Sequence, residues 1–355
     1  MTSTVLFADF SETPDRNIFD KLSQMLDRLP LSAAVAAGDL AAVKVHFGER
    51  GNTAFVAPHF VRAVADKLRE LGAKPFVTDA NTLYAGSRAN SVDHLETAHR
   101  HGFTYSSLGC PVLIADGLRG GASVEVAVKG THFKKVKLAH DLARADAIVC
   151  VTHFKGHELS GFGGSIKNLG MGGGSRGGKL AMHSDVAPLV KAEKCTACGR
   201  CAASCPAGAI TVAGHAVIDQ KKCIGCGACI SVCPVRAVRN VWDSGPRAMQ
   251  EKMTEHLAGF AALKPGKIAY VNFINHVSPA CDCYGHAGTP IAPDVGICAS
   301  LDPVAVDAAS CDLVNKAAGQ DAFRAVHPDA DWSVQLDAAE RLGLGSREYE
   351  LVKVA

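Results

Sequence analysis

Two short cysteine runs constrain this chain more than any other feature. Cys195, Cys198, Cys201 and Cys205 precede Pro206, and Cys223, Cys226, Cys229 and Cys233 precede Pro234, so the spacing C-x2-C-x2-C-x3-C-P occurs twice. Three thiolates at that spacing can wrap one face of an iron–sulfur cube, whereas zinc ribbons use two separated cysteine pairs. These runs hold eight of the 14 cysteines in a 355-residue chain. Met1 to Pro14 has no basic start leading into an apolar run, so no leader peptide is expected, and thiols in such a chain read as metal ligands or reduced side chains. No run of 18 apolar residues occurs, so no membrane span is expected, and a net charge of +2 gives no reason to invoke nucleic acid.

The doubled run resembles two-cluster bacterial ferredoxins, in which the fourth cysteine of each run ligates the other cluster. The resemblance implies two [4Fe–4S] clusters, one on Cys195, Cys198, Cys201 and Cys233, the other on Cys223, Cys226, Cys229 and Cys205. Ile210–Val212 and Val217–Ile218, turning at Gly214, form the expected hairpin between the runs.

Around this stretch the chain alternates strand-like and helix-like segments, which predicts an α/β protein with parallel or mixed sheets. Strands are expected at 5–10, 42–47, 75–80, 112–115, 124–128, 147–151, 268–272 and 297–300. A helix capped by Thr53 is expected to bury Phe60, Val61, Val64 and Leu68 and to stop at Gly72. Further helices are expected at 91–100, 303–318 and 334–342. Because the pattern resumes after the cysteines, a small ferredoxin-like α+β module at 189–243 is read as an insert. The expected division is an N-terminal α/β domain at 1–110 and a second, discontinuous one at 111–188 and 244–355.

Between Gly156 and Gly178 lie ten glycines, with Lys155, Lys167, Arg176 and Lys179 close by. Glycines let successive N–H groups converge on an anion, so Gly163, Gly164, Lys155 and Arg176 are candidate cofactor-binding residues. Gly173 to Lys179 matches the start of a P-loop, but Leu180 cannot ligate Mg²⁺ and no strand immediately precedes it, which argues against ATP hydrolysis.

HFKGHELSGFGGSIKNLGMG, MHSDV, EKM, NFINHVSPACDCYGH and PDVGICASLDPVAVDAA together resemble the DUF362 family, iron–sulfur centre proteins whose α/β domain is interrupted by a ferredoxin-like module. The segment from His157 to Leu169 is also similar to a loop of the nickel-pincer lactate racemases. Lys167 lies ten residues after His157, and His183 sixteen after Lys167, as that likeness requires. It implies catalytic or ligand-holding roles for His157, Lys167 and His183. The pattern departs from that family near Asp79–Thr82, where no histidine occurs. It also lacks the phosphate-binding D-x-T-R-P run, with only His46, Gly48 and Arg50 in a comparable place.

Cys281, Cys283 and His286 form a compact C-x-C-x2-H group suited to a soft metal or thiol chemistry. Asp302 and Pro303 read as a helix start, and Asp307, one turn further, as an ion-paired residue in preference to a functional one. The expected function is a cytoplasmic, anaerobic iron–sulfur oxidoreductase that takes electrons from a ferredoxin, flavodoxin or reductase-type partner. Its electrons would pass to a small-molecule substrate or metal site, with a further metal or organic cofactor left open. The alternatives are a non-enzymatic electron carrier or maturation factor, and a nickel-pincer-like hydride-transfer enzyme with accessory clusters.

Overall fold

The structure is a computed structural model that describes residues 2–354. One eight-stranded sheet organises it, built from β1 (Ser3–Asp9), β2 (Leu40–Lys44), β3 (Lys74–Asp79), β4 (Val112–Ile114), β5 (Ala147–His153), β6 (Ile268–Ile274), β7 (Gly296–Ser300) and β8 (Tyr349–Lys353). The spatial order is β8-β1-β7-β6-β5-β2-β3-β4. From β6 to β4 every neighbour is parallel, while β7 runs antiparallel to both β6 and β1. The central parallel strands are buried on both faces, and β5 (AIVCVTH) and β6 (IAYVNFI) have no exposed residue. The sheet thus divides the apolar interior into two cores, one on each face. It also runs unbroken through residue 110, since β4 extends the edge that β3 begins.

Helices α1 (Ile18–Arg28), α2 (Pro58–Glu70) and α3 (Ser91–Arg100) cross over between the early strands. The α2 stripe of Val61, Val64 and Leu68 is buried as its spacing predicts, and Gly72 ends the helix at φ +82°. Thr53 does not cap it. The helix begins at Pro58, and its cap position, Ala57, supplies no side-chain bond, because Pro58 presets the first helical φ without needing an N–H partner.

The glycine-rich stretch is not an open loop. It folds into the hairpin Lys155–His157/Gly161–Gly163 and helices α4 (Ser165–Gly170) and α5 (Arg176–His183). Most of its glycines serve close approach: a Cβ at Gly156, Gly170 or Gly178 would collide with the carbonyl oxygen of Pro279, Met253 or Lys137. Helix α6 (Pro246–Leu263) packs over this layer, and α7 (Pro303–Ala318) starts at the Asp302 cap and Pro303, as predicted.

The cysteine-rich insert leaves and rejoins the body through a two-stranded clasp, with Leu189 opposite Arg239 and Val190 opposite Val238. Inside it, Ile210–Ala213 and His215–Ile218 form the expected hairpin, turning at Gly214 with φ +75°. No helix among the described residues is long and apolar enough to cross a membrane.

Candidate functional site

Segments after the carboxyl ends of β2, β3, β5 and β6 converge on one cavity of about 620 Å³, where open α/β sheets place ligands. β2 leads to His46 and Glu49, and β3 ends at Asp79 and leads to Tyr84 and Arg88. β5 leads to Lys155 and His157, and β6 to Cys281, Cys283 and Tyr284; α4 and α5 contribute Lys167, Lys179 and His183. Hydrogen bonds to backbone carbonyls knit these loops together: Glu49 N–H donates to Asp282 O at 2.9 Å and the Tyr84 hydroxyl to Cys283 O at 3.0 Å.

At the centre, Lys167 Nζ stands 3.2 Å from Cys281 Sγ. A hydrogen bond from Cys283 pulls the Cys281 thiol down to about 5 against the cost of burial, and the Lys167 charge adds to the effect. Cys283 is pushed well above an ordinary thiol, first by sharing its proton with Cys281 and then by burial. Burial opposes charge on Lys167, but the two sulfurs outweigh it and hold its ammonium above the ordinary lysine value. At neutral pH the trio is therefore thiolate, thiol and ammonium.

Asp282, between the two cysteines, points the other way. Its carboxylate meets His153 Nδ1 at 2.7 Å and Lys155 Nζ at 3.3 Å. Burial works against its charge, yet His153 and Lys155 hold its pKa at about 2. Lys155 also donates to His153 O, so this side chain reinforces the loop as well as lining the cavity.

His157 Nδ1 accepts from the N–H groups of Leu159 and Ser160, each at 3.2 Å, which puts the ring proton on Nε2. Burial, then Lys167 and His183, hold it neutral well below an ordinary histidine. His183, at the end of α5, is pushed down to about 3 by burial and by Lys167, and packs edge-on against Trp242 at 4.6 Å between ring centroids. His46 was noticed in the sequence only for its place after a strand. Here it lines the cavity, with Nδ1 accepting from Gly48 N–H and burial holding the ring neutral.

The floor is a buried charge network. Lys44 Nζ lies 3.0 Å from Asp79 Oδ1 and donates to Asn168 Oδ1 at 2.7 Å, while Arg88 bridges Asp79, Glu49 and the Tyr84 hydroxyl. These are single residues of common types scattered over 44–168, and they form no motif along the sequence.

Not every candidate faces the cavity. Arg176 is buried under it and donates to the carbonyls of Thr82, Arg119 and Ala89. Gly163 backs the Lys155 and Lys167 side chains. Beside Gly164, the N–H groups of Ser165 and Ile166 are already bound by Asp307, at 2.7 and 2.9 Å. Asp307 is thus a cap for α4, not the ion-paired residue expected, because α7 delivers its carboxylate to two N–H groups in the first turn of that helix. Lys179 Nζ folds back onto Gly172 O and Gly174 O, so the P-loop-like run forms no phosphate cradle.

The insert contains two smaller cavities. Cys195, Cys198, Cys201 and Cys233 wall one, and Cys205, Cys223, Cys226 and Cys229 wall the other. Ala216, Ala209 and Ala237 donate N–H bonds to the sulfurs of Cys195, Cys205 and Cys233 at 3.4, 3.3 and 3.1 Å. Among the described residues, no three His, Cys, Asp or Glu side chains are grouped to hold a single metal ion.

An α/β protein with a cavity at the strand ends and a cysteine-rich insert is the class these features define. The chain belongs to the family described as "Domain of unknown function (DUF362)", which matches residues 41–312. Among solved structures, the lactate racemase apoprotein from Thermoanaerobacterium thermosaccharolyticum is similar at a TM-score of 0.40 and 10% identity. That similarity covers 76% of this chain and 50% of that one, so the match spans about half the length of the racemase. No curated protein matches the sequence.

Proposed function

We propose that the chain is an iron–sulfur oxidoreductase in which two [4Fe–4S] clusters in the insert serve a small-molecule reaction in the central cavity. The observation that carries this reading is the division of eight cysteines into two walled cavities, each taking three sulfurs from one run and the fourth from the other. A zinc site would draw four sulfurs to about 2.3 Å from one ion, whereas a cube spreads them over its corners. Small, apolar walls (Ala216, Ala237 and Val238 in one, Ala209, Ile210 and Ile218 in the other) fit such a group and exclude water. Backbone N–H donors stabilise thiolate charge there. When bound, each cluster exchanges one electron at a time.

Helix α5 links the two parts of the molecule. Its first turn lies against the second cysteine run, where a Cβ on Gly177 would stand 3.1 Å from Gly225 O, and further along it supplies Lys179 and, at its end, His183 to the cavity. Leu83 also belongs to both, lining the cavity while packing with Cys229 and Ile230. In the cavity, Cys281 offers a thiolate, Lys167 a fixed positive charge and His157 an Nε2–H donor. Together they can orient a polar substrate and stabilise charge developing on it.

Protein purified without oxygen tests the reading. About eight iron and eight sulfide per chain are expected, from two four-iron cubes. Colourless protein, or protein holding zinc instead, would sink it. Intact-mass measurement under native conditions adds the cavity test: a small molecule retained by the wild type and released by Lys167→Ala.

A further inference from the structure

The two cysteine runs are internal repeats offset by 28 residues, and they diverge where their surroundings differ. The second run is pressed against the α/β body. Gly227 (φ +69°) abuts Arg176, with its would-be Cβ 3.0 Å from Cγ, and Lys137 Nζ donates to Ile224 O at 3.0 Å. Ala228 follows, small where space is short. At the matching place in the first run stands Arg200, exposed, beside exposed Cys198, Thr196 and Ala197. The cavity walled by the first run therefore faces outward, and the one walled by the second faces the body.

Charge follows the same division. Residues 189–243 hold seven Lys and Arg against three Asp and Glu, a net of +4, which leaves −2 for the rest of the chain. Lys194, Arg200, Arg236 and Arg239 are exposed on or next to segments that wall the outward cavity, together with Val235. Among the described residues no carboxylate forms an ion pair with any of these four. Elsewhere on the surface ion pairs are common, as at Arg62–Asp66 and Arg100–Glu96. Unpaired cations gathered around an exposed apolar spot are suited to steer an acidic partner to that spot.

We infer that the face formed by Lys194, Arg200, Arg236 and Arg239 docks an acidic, one-electron carrier protein, with electrons crossing to the outward quartet first and the body-facing quartet second. This inference rests on the iron–sulfur reading above. No bond is made or broken in the transfer: the carrier is oxidised by one electron and the outward cluster is reduced by one.

The test uses the anaerobic holoprotein and a small acidic [2Fe–2S] ferredoxin as probe, with binding measured by calorimetry at several salt concentrations. Wild type is expected to bind more weakly as salt rises. Arg200→Glu/Arg236→Glu should weaken binding at least tenfold at low salt and flatten that dependence, while retaining full iron and sulfide and normal reduction by dithionite. Lys221→Glu/Lys222→Glu, next to the second run, should change affinity less than threefold. Unchanged affinity in Arg200→Glu/Arg236→Glu would overturn the docking face. So would an equal loss in Lys221→Glu/Lys222→Glu, or a preference for anionic vesicles or DNA over the ferredoxin. Absence of iron and sulfide from the wild type would instead remove the underlying reading, and that result is read before any binding is measured.

Discussion

Lys167 and Cys281, 114 residues apart in the chain, meet at 3.2 Å between Nζ and Sγ at the centre of the cavity. Neither group would be charged so readily alone in this buried place. Cys281 is nearly inaccessible, at 1% exposure, and a lone buried thiol is pushed up instead, as Cys150 is to about 11. The pair is maintained by mutual charge and by the proton that Cys283 shares.

Removing the ammonium should therefore show in thiol chemistry. In Lys167→Met, the Cys281 thiol is expected to rise from about 5 towards the ordinary range. Alkylation by iodoacetamide at pH 6 should then slow by about tenfold, because less thiolate is present. Lys167→Arg should restore most of the rate. Mass-mapped alkylation across pH 4 to 9 measures both, and an unshifted profile in Lys167→Met would refute the pairing.

Asp282 provides the second prediction. Its folded-state pKa of about 2 lies below its ordinary value of 3.8, so it contributes stability that is present above about pH 4 and lost as pH falls towards 2. The difference corresponds to about 2 kcal/mol. Asp282→Asn should lose about that much at pH 7 in urea unfolding, and its stability should fall less between pH 4 and pH 2 than that of the wild type. Equal acid sensitivity in the two proteins would count against the His153–Asp282–Lys155 arrangement.

Asp307 holds α4 from a distance. It accepts from Ser165 N–H, Ile166 N–H and Asn272 Nδ2, the last at 2.8 Å, and is fully buried. Asp307→Ala would leave those donors unsatisfied, at a cost of about 2–4 kcal/mol. Because α4 carries Lys167, the variant should also lose part of the Cys281 reactivity at pH 6 while folded. Hydrogen exchange at Ser165 and Ile166 should quicken. Slow exchange at both sites would show that another group caps the helix.

The crossed cysteine quartets make a counting prediction, on the proposed iron–sulfur reading. Cys195→Ala/Cys233→Ala damages one quartet, whereas Cys195→Ala/Cys205→Ala damages both. The first variant should keep about half the iron and sulfide, and the second close to none. If the second keeps as much as the first, the fourth ligands do not cross.

The sequence by itself determined whatever depends on neighbours along the chain. Sulfurs spaced three or four residues apart, the Asp302-Pro303 helix start and the Gly214 turn lay within one helical turn or one hairpin, where local geometry decides the outcome. The buried strands were legible for the same reason, to within a few residues at their ends. The 246–263 helix was missed because its buried residues lie all round it, Met249, Lys252, Glu255, His256 and Phe260 among them, which erases the amphipathic period. Tertiary structure alone decided that Asp307 caps α4, that most glycines of 156–178 admit backbones and not an anion, and that α5 runs from the second cysteine run to the cavity. Those facts depend on the order in which eight strands lie side by side. That order brings together residues more than a hundred positions apart, and no pattern of polarity along the chain encodes it.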